Sequence, residues 1–371
     1  MGWSETVRRK SSLKRIVISG VNIVSGGMLS VYKDCLREML CYCQDIEIVA
    51  LVHDLRLFDD IEDTRLTYRA YPNAKSSWLQ RCYHEYVLFH RLSKTLHVDL
   101  WLSMHDMTPF VKADQQVVYC HNTSPFYKIS FTEIFRDWKF TLFVLFYRYL
   151  YRINLHRNAY VIVQQNWMRE EFRRIFSISN IIVANPRIKT KKKDFSSHVR
   201  EGQFLYPVTP HTYKNVEILC EAASRFEEKM EIQIVLTLDG SEGNYAKDIV
   251  RKYRDVPSLK FVGRQTRERI FELYAECEAL LFPSRLESWG MPLSEFMETG
   301  KPILAADLPY AHEVLDGYQQ VKFLNPLCAD VWNEAMQDLV RGTLKFDYIP
   351  KSSIKEPYAQ NWNQLFSLLQ L

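Results

Sequence analysis

The sequence has few of the features that mark membrane-spanning, secreted, disordered or nucleic-acid-binding proteins. Its aromatic apolar stretch at 140–147 is too short to cross a bilayer, and the first fifteen residues include basic residues but no apolar signal core. No low-complexity tract is present, so any disorder is confined to the chain ends. The net charge of +4 comes without a dense Lys/Arg stripe interleaved with stacking aromatics, which argues against nucleic acid as a partner.

The cysteines carry no recognisable pattern. There are eight, at positions 35, 41, 43, 82, 120, 220, 277 and 328, and none shows the paired spacing of a metal site. Most stand singly in apolar stretches, so we expect reduced, buried thiols in a cytoplasmic protein. What the chain does have is 47% apolar residues over a length of 371, which predicts two domains, each with its own core.

The first half predicts an α/β domain over residues 1–185. Residues 15–20 and 47–52 have the pattern of strands on either side of a helix at 28–43. The glycine-containing turn at 25–27 can admit a phosphate or a sugar close to the backbone, or it is simply a strand-to-helix connection. Ligands of open α/β sheets gather beyond the carboxyl ends of strands, so the polar residues that follow each strand form one edge of a predicted cleft. Further strands are predicted at 100–103, 116–120 and 160–164.

The second half predicts another α/β domain over residues 186–356. Residues 189–202 are polar and basic without an apolar period, which indicates a linker or exposed loop in preference to a phosphate or membrane patch. A helix is predicted near 215–229, and the last residues, 358–371, also have a helical pattern. Strands are predicted at 203–206, 232–237, 259–262 and 279–282.

Two glutamates eight positions apart, Glu287 and Glu295, are the most informative feature of the chain. The first lies on a loop after the predicted strand 279–282, and the second lies on a short helix predicted at 292–299. Free N–H groups at a helix start favour a phosphate, and carboxylates accept hydrogen bonds from vicinal sugar hydroxyls. The pair predicts a nucleotide-sugar site. The alternative is one acid placed near a helix start and one solvated loop acid.

The stretch 262–315, with the run FPSRLESWGMPLSEFMETGKPILAAD, resembles the donor-binding half of the retaining glycosyltransferases of family 4 and contains their E-x7-E motif. The resemblance implies the GT-B fold, two Rossmann-like domains facing each other across a cleft, with 357–371 as a helix packing back on the first domain. It implies that Glu295 holds the ribose of the donor and Glu287 the transferred sugar. The implied donor loop also includes Ser288, Trp289, Gly290, Met291 and Leu293.

The same resemblance gives roles to residues elsewhere. Gly26 and Gly27 match a glycine-rich loop that faces the donor. His121, in YCHNTSPF, is similar to the family's N-domain histidine and is a catalytic candidate, with a structural histidine as the alternative. Lys214 resembles the phosphate-binding lysine, a compact cation suited to the departing diphosphate. The adjacent pair His105-Asp106 is a weaker candidate.

One position departs from the family pattern. An arginine is usual five residues before Lys214, and this chain has Thr209 there. Either His211 or Arg264 would then supply the second positive charge, or the donor site is weakened. Arg264 as a plain surface residue is an equal alternative.

We expect neither metal nor cofactor. The aspartate-any-aspartate signature of the metal-dependent GT-A class is missing from the sequence, since Asp59-Asp60 is adjacent and lies in a polar stretch. Lys214 and the helix start would therefore meet the leaving-group charge. A retaining transfer on this scaffold rests on positioning and electrostatics, with a β-phosphate oxygen taking the proton of the acceptor hydroxyl.

Residues 131–154 are rich in aromatics and interrupted by basic residues. An amphipathic helix on an anionic membrane surface would suit a lipid-linked acceptor, but the pattern favours the alternative, a core helix with outward-reaching arginines. The sequence thus predicts an enzyme that moves a hexose-type sugar from a nucleoside diphosphate sugar to a glycan or lipid-linked glycan in cell-surface polysaccharide synthesis. It would be cytoplasmic, or peripheral on the inner face of the cell membrane. A GT-B sugar-nucleotide epimerase and a non-catalytic sugar-nucleotide-binding protein are the alternatives.

Overall fold

The computed structural model describes residues 13–127, 138–185, 199–227 and 230–371. It divides into two compact units, Met1–Ile188 with Ile354–Leu371, and Lys189–Ser353. Each unit is built on a parallel sheet with helices between its strands, so the predicted α/β class with two Rossmann-like domains is confirmed. The basic N-terminus up to residue 12 and the predicted linker up to residue 198 lie outside the described residues.

The first unit contains an eight-stranded sheet. Its strands are β1 (Lys14–Ser19), β2 (Ile46–Val52), β3 (Leu66–Ala70), β4 (Val98–Ser103), β5 (Ala113–Cys120), β6 (Tyr160–Val163), β7 (Ile181–Ala184) and β14 (Tyr358–Ala359). They pair in parallel in the order β14-β7-β6-β5-β4-β1-β2-β3. The described helices of this unit are α1 (Gly26–Tyr42), α2 (Trp78–Tyr83), α3 (Phe89–Leu96), α4 (Trp138–Arg152), α5 (Asn166–Phe176) and α12 (Trp362–Leu368).

Both faces of this sheet are covered, which explains why its central strands are almost continuously apolar. In β1, Ile16 and Ile18 pack in one core with the buried face of α1. Val17, between them, packs on the opposite face with Trp101 and Phe89. Alternation along a strand sends successive side chains to opposite faces, so the two cores lie back to back with the sheet between them.

The C-terminal segment belongs to the first unit. Residues 358 and 359 pair with β7, and α12 packs its buried Leu365 and Phe366 into the same core as α1. The prediction of one helix over 358–371 is therefore wrong at its start. The side chain of Asn361 accepts a hydrogen bond from the Gln364 N–H (3.0 Å), so the helix begins at Trp362 because a capping residue precedes it.

The second unit contains a six-stranded sheet in the order β10-β9-β8-β11-β12-β13, again parallel. Its strands are β8 (Arg200–Tyr206), β9 (Gln233–Leu236), β10 (Leu259–Phe261), β11 (Cys277–Phe282), β12 (Ile303–Ala306) and β13 (Val321–Leu324). Its helices in the described ranges are α6 (Val216–Ala223), α7 (Asn244–Tyr253), α8 (Arg267–Glu276), α9 (Met291–Met297), α10 (Pro309–Val314) and α11 (Ala329–Val340).

The helix predicted near 215–229 is shorter than expected. A 3₁₀ turn at Thr212–Lys214 precedes it, and α6 ends at Ala223. Two of its last carbonyls are taken by side chains from elsewhere: Asn333 donates to Ala222 (2.9 Å), and Ser258 donates to Ala223 (3.2 Å). The free carbonyls at the helix end are thereby satisfied without another turn. Residues 228 and 229 lie outside the described residues.

Across the ranges that the structure covers, we find no helix with the length and apolar content needed to cross a bilayer.

Candidate functional site

The acid pair lies beyond the carboxyl end of β11, in the loop and helix that connect it to β12. Hydrogen bonds from other parts of the second unit fix this loop. Tyr310 donates to the Ser284 carbonyl (2.6 Å), and the Arg285 N–H donates to the Tyr213 carbonyl (2.7 Å). The loop is therefore held on two sides before any ligand is considered, which is the rigidity that a binding site needs.

Gly290 sets the entry into α9. Its φ is +77°, in the left-handed region, and a Cβ there would lie 3.2 Å from a Leu293 methyl and 3.4 Å from the Phe282 ring. The Leu293 N–H donates to the Gly290 carbonyl (2.9 Å). Only glycine adopts this backbone without strain while letting the turn close against Phe282.

Glu287 and Lys214 form an ion pair between the loop and the 3₁₀ turn before α6. Both side chains are largely buried, at 13% and 19% exposure. Three tyrosines lie close enough to Glu287 for its negative charge to raise the pKa of their hydroxyls. Burial, reinforced by Glu287, raises the pKa of Tyr213 to about 12 and the pKa of Tyr206 and of Tyr310 well above the usual range. These hydroxyls remain protonated, so the acid lies among neutral donors and one cation.

Glu295 occupies a separate position on α9 and is 8% exposed. Arg267 donates to one of its oxygens (2.8 Å), and the Tyr274 hydroxyl donates to the other (3.2 Å). Burial, and then the Glu295 charge, raises the pKa of Tyr274 well above its usual range, so this donor is permanent. Each carboxylate oxygen has further lone pairs, so Glu295 can still accept from a ligand hydroxyl.

The remaining residues predicted for the donor loop differ in what they present. The Trp289 indole donates to the Ser294 hydroxyl (3.0 Å), which orients the ring along α9. Ser288 and Met291 are half-buried. Leu293 is fully buried, so its side chain belongs to the core and only its backbone lies at the loop.

The two candidates for a second cation, His211 and Arg264, differ in their position relative to Lys214. His211 stacks on the Tyr213 ring, with centroids 5.2 Å apart, and is therefore held beside the turn that carries Lys214. Arg264 is exposed and follows Gly263, whose backbone (φ +67°) packs against Asp239. Thr209 is also exposed. The geometry thus brings His211 next to the lysine and leaves Arg264 on the turn after β10.

In the first unit, His121 follows β5 and is 7% exposed. Its ring stacks on Tyr119 with centroids 4.4 Å apart, and the Gln164 amide nitrogen lies 3.1 Å from Nδ1. An amide N–H donates, so Nδ1 accepts and the ring proton sits on Nε2. Burial lowers the pKa of His121, against the opposing effects of Asp106 and the Met104 carbonyl. Nε2 forms no hydrogen bond of good geometry within the described ranges.

Asp106 positions the histidine loop. A single carboxylate oxygen accepts from the N–H of His121 (2.6 Å), from the N–H of Asn122 (2.8 Å) and from the Tyr151 hydroxyl (2.9 Å). Asp106 has φ +73°, an uncommon conformation that aspartate tolerates better than most residues. Sequence reasoning missed this role because the partners are 15 to 45 positions away.

His105 does not form a dyad with Asp106. Its Nδ1 lies 2.6 Å from an Arg81 nitrogen, and its Nε2 lies 3.0 Å from the Ser19 hydroxyl. Arg81 also pairs with Glu85 (2.8 Å), and all of these side chains are buried. Burial and the neighbouring cation lower the pKa of His105 well below its usual range, while burial raises the pKa of Glu85 to about 7.

Gly26 and Gly27 are the first residues of α1, and both are exposed. Gly26 has φ +73°, and a Cβ there would meet nothing within 4 Å. Its requirement for glycine is therefore conformational, and the space above it is open to a ligand. The predicted turn is thus the start of the helix itself.

The described parts of the chain hold no group of three or more His, Cys, Asp or Glu side chains arranged to bind a metal ion. Independence from metals stays a prediction.

Comparison with known proteins finds a family model that matches part of the chain. Residues 188–347 match the family model for Glycosyl transferases group 1. The O-antigen chain mannosyltransferase RfbU of Salmonella typhimurium (strain LT2) is 20% identical over 240 residues, which are 63% of this chain and 63% of that protein. The chain therefore spans somewhat less than two thirds of the length of this curated relative.

Two solved structures show how far the fold is shared. The lipopolysaccharide outer core galactosyltransferase WaaB has a TM-score of 0.61 at 16% identity, covering 90% of this chain and 92% of that one. The Anabaena protein HepE in complex with UDP and glucose has a TM-score of 0.58 at 14% identity, covering 89% and 90%. At these identities the likeness establishes the fold alone. The chain therefore has a two-domain GT-B fold, and its residues 188–347, less than half of its length, match the model for Glycosyl transferases group 1.

Proposed function

We propose that the protein is a retaining family 4 enzyme that moves a hexose-type sugar from a nucleoside diphosphate sugar to a glycan or lipid-linked glycan. The observation that carries this proposal is the ion pair between Lys214 and Glu287, on a loop fixed by Tyr310 and Tyr213. It places a cation suited to a diphosphate and an acid suited to sugar hydroxyls at one strand end of the second unit. HepE, which shares the fold, binds UDP and glucose.

In this proposal the donor is divided between the two acids. Glu295, held by Arg267 and Tyr274, accepts the ribose hydroxyls. Glu287 accepts hydroxyls of the transferred sugar, and the Lys214 ammonium then moves its contact from Glu287 to the diphosphate. Because Lys214 is a flexible point charge, it can change partner without moving the backbone. The backbone of 288–293, with Arg264 or His211 as second cation, completes the phosphate site.

The transfer step needs no protein nucleophile. The acceptor oxygen forms its bond to the anomeric carbon on the face that the nucleotide leaves, while the bond from that carbon to the phosphate oxygen breaks. The acceptor proton passes to a β-phosphate oxygen. The protein supplies position and charge stabilisation: Lys214 stabilises the leaving diphosphate, and His121 offers the Nε2 proton to a sugar oxygen. No metal ion or cofactor is required.

We infer the acceptor class from the substrates of two of the similar proteins. RfbU acts on O-antigen chains, and WaaB acts on the lipopolysaccharide outer core. These names support a role in cell-surface polysaccharide synthesis, with nucleotide sugars supplied on the cytoplasmic side. The donor sugar, a hexose, is proposed on the same grounds.

The direct test offers the purified protein a panel of UDP-, GDP- and ADP-hexoses with and without glycan acceptors. We expect nucleoside diphosphate to be released only when an acceptor is present, and the product to keep the anomeric configuration of the donor. Lys214→Ala should abolish release, whereas Lys247→Ala, an exposed lysine on α7, should not. A new nucleotide sugar formed without acceptor would indicate an epimerase, and donor binding without any turnover would indicate a binding protein.

A further inference from the structure

A cleft opens in the first unit beyond the carboxyl ends of β1 and β4, and its volume is about 390 Å³. Asn22, which follows β1, and Met107, which follows β4, both line it. The two strands are neighbours in the sheet. Ligands of open α/β sheets bind outside the carboxyl ends of the strands, so the cleft lies at the edge of the sheet where a substrate is expected.

The described residues that line the cleft include two cations and no acid. Lys75, the last residue of a 3₁₀ turn, is exposed and forms no ion pair with a described residue. Arg81 of α2 is only 5% exposed, yet it lines the same cleft. Its partner Glu85 is fully buried and is not part of the lining. Two cations and one carboxylate leave a net positive charge, which favours an anionic ligand.

Arg81 is held by two buried partners. Its Nε pairs with Glu85 (2.8 Å), and its Nη2 lies 2.6 Å from His105 Nδ1. Burial lowers the pKa of His105 well below its usual range, so the ring is neutral and Nδ1 accepts the proton of Arg81. Nη1 forms no hydrogen bond to a described residue. This nitrogen can therefore donate to an anion in the cleft while the other two nitrogens stay paired.

The cleft also has two uncharged polar groups that are ready for a ligand. Asn22 Oδ1 is buried and has no hydrogen-bond partner in the part of the chain that the structure describes. A buried acceptor of this kind is costly unless a donor meets it, and an anion brings no proton. Ser77 Oγ accepts from the Gln80 N–H (3.2 Å), so its own proton remains for a ligand. The polar groups thus suit a ligand that is both anionic and hydroxylated.

Two aromatic rings form the remaining wall of the cleft. Trp78 and Tyr147 both line it, and their rings meet edge-on with centroids 5.8 Å apart. Trp78 is still 43% exposed, so part of the indole is open to a ligand, and aromatic walls with a few polar groups are typical of ligand pockets. The Tyr147 hydroxyl lies beside the side chain of Asn122, the residue after His121. The cleft and the histidine loop are therefore neighbours.

We propose that this cleft binds an acidic sugar of the acceptor glycan, one that carries a phosphate or a carboxylate. Lys75, Arg81 and Ser77 donate to the anionic group. Asn22 accepts from a hydroxyl of the sugar, and Trp78 covers the apolar face of the ring. The role as an acceptor site rests on the proposed function, whereas the binding itself is measured without a nucleotide.

The test is titration calorimetry of the full-length protein with hexose 6-phosphates and hexuronates in their gluco, galacto and manno forms. We expect one of these acidic sugars to bind at least about tenfold more tightly than the parent hexose or inorganic phosphate, because each control lacks one set of hydrogen bonds. Whether the phosphates or the uronates bind more tightly identifies the anionic group. Higher salt should weaken the binding.

Substitutions then assign the binding to the cleft. Lys75→Ala should weaken the acidic sugar about tenfold, the loss of one charge-assisted hydrogen bond, and Asn22→Asp should weaken it further because it adds a negative charge. Lys94→Ala changes an exposed lysine of α3 and should bind like the wild type. Lys75 is exposed, so its removal tests the site without disturbing the core.

The donor site of the second unit provides the remaining control. Lys214→Ala should bind the acidic sugar like the wild type, since the two sites lie in different units. Loss of binding in Lys214→Ala would place the anion in the donor site and overturn the proposal. So would equal affinity for inorganic phosphate and for acidic sugars, or no binding of any acidic sugar. In that last case, release of nucleoside diphosphate with a neutral glycan acceptor would keep the proposed transfer while the acidic-sugar site falls.

Discussion

At the scale of single residues, the second unit separates its two glutamates by partner. Glu287 faces Lys214, whereas Glu295 is held by Arg267 and Tyr274. A lysine is free to exchange one anion for another, but a buried tyrosine hydroxyl and a fixed arginine hold a carboxylate in place. The structure therefore gives Glu295 the character of a fixed acceptor and Glu287 that of an exchangeable one.

This difference predicts opposite effects of two substitutions. Glu295→Gln should weaken nucleoside diphosphate binding by about 1–3 kcal/mol, the value of a charge-assisted hydrogen bond, while keeping the oxygen that Tyr274 needs. Glu287→Ala should leave that binding at least as tight, because Lys214 loses its competitor, and should reduce turnover. Titration calorimetry and initial rates measure both, with Glu334→Gln as an exposed control. Equal behaviour of all three variants would show that the acids do not hold the donor.

The protonation of His121 gives a prediction about stability. Burial keeps its folded pKa below the usual value, so the unfolded chain binds more protons. The contribution of neutral His121 to the free energy of unfolding is complete above about pH 6.5. That contribution is lost as pH falls from there towards the folded pKa, with a slope of at most about 1.4 kcal/mol per pH unit. Denaturant unfolding of His121→Gln should therefore be less sensitive to acid than that of the wild type.

The comparison with the wild type removes a competing effect. Glu85, with its pKa raised to about 7, has the opposite effect on the pH dependence of stability. Its contribution to the free energy of unfolding is present at low pH and is lost as pH rises through about 7. Glu85 is present in both proteins, so the difference between their pH profiles reports His121 together with its effect on the neighbouring His105, whose pKa is lowered in the same direction. Parallel profiles would mean that the folded protein admits a protonated His121.

At the scale of elements, sequence patterns predict strands better than helix ends. Strands β1, β2, β4, β5 and β11 were predicted within a few residues, because burial on both faces leaves a continuous apolar run. The end of α6 and the start of α12 were not predicted correctly. A side chain from a distant segment satisfies the end of α6, and a local cap fixes the start of α12. Contacts between distant positions also explain why Arg267 and Tyr274 were missed, and why Asp106 was considered only as a dyad partner of His105.

The turn into α9 is the element on which the donor site depends. Gly290→Ala should cost about 1–2 kcal/mol for the left-handed backbone and should also weaken nucleoside diphosphate binding, because the new Cβ presses on Leu293 and Phe282. Gly342→Ala is the matched control, since Gly342 has a similar φ of +71° and nothing near its Cβ position. It should lose similar stability by thermal unfolding and keep its affinity. If both variants lose affinity, the loss comes from general destabilisation of the protein and not from the turn at Gly290.

At the scale of the whole molecule, the chain has a GT-B fold, and the glycosyl transfer that we propose for it works by charge and position. The acid pair and the two α/β domains were visible in the sequence, since they rest on local pattern. The pairing of Lys214 with Glu287 was not, because 73 positions separate them.

Metal independence is testable on the intact enzyme. Lys214 and the loop backbone are proposed to meet the charge of the diphosphate, so turnover should be unchanged in EDTA. Assays with the chelator, followed by addition of Mg²⁺ or Mn²⁺, measure this. Full loss that either ion restores would assign the leaving-group charge to a metal and contradict the role of Lys214.

The most direct measurement of the central claim is a thermal-unfolding panel of nucleoside diphosphates and their hexose conjugates. A ligand at one hundred times its Kd stabilises the folded protein by about 2.7 kcal/mol, which corresponds to a rise in Tm of roughly 3–4 °C for a chain of this size that unfolds as one unit. We expect one nucleotide series to raise the Tm of the wild type and of Lys247→Ala, and to raise that of Lys214→Ala far less. A panel in which no nucleotide raises Tm, or in which Lys214→Ala responds like wild type, would contradict it.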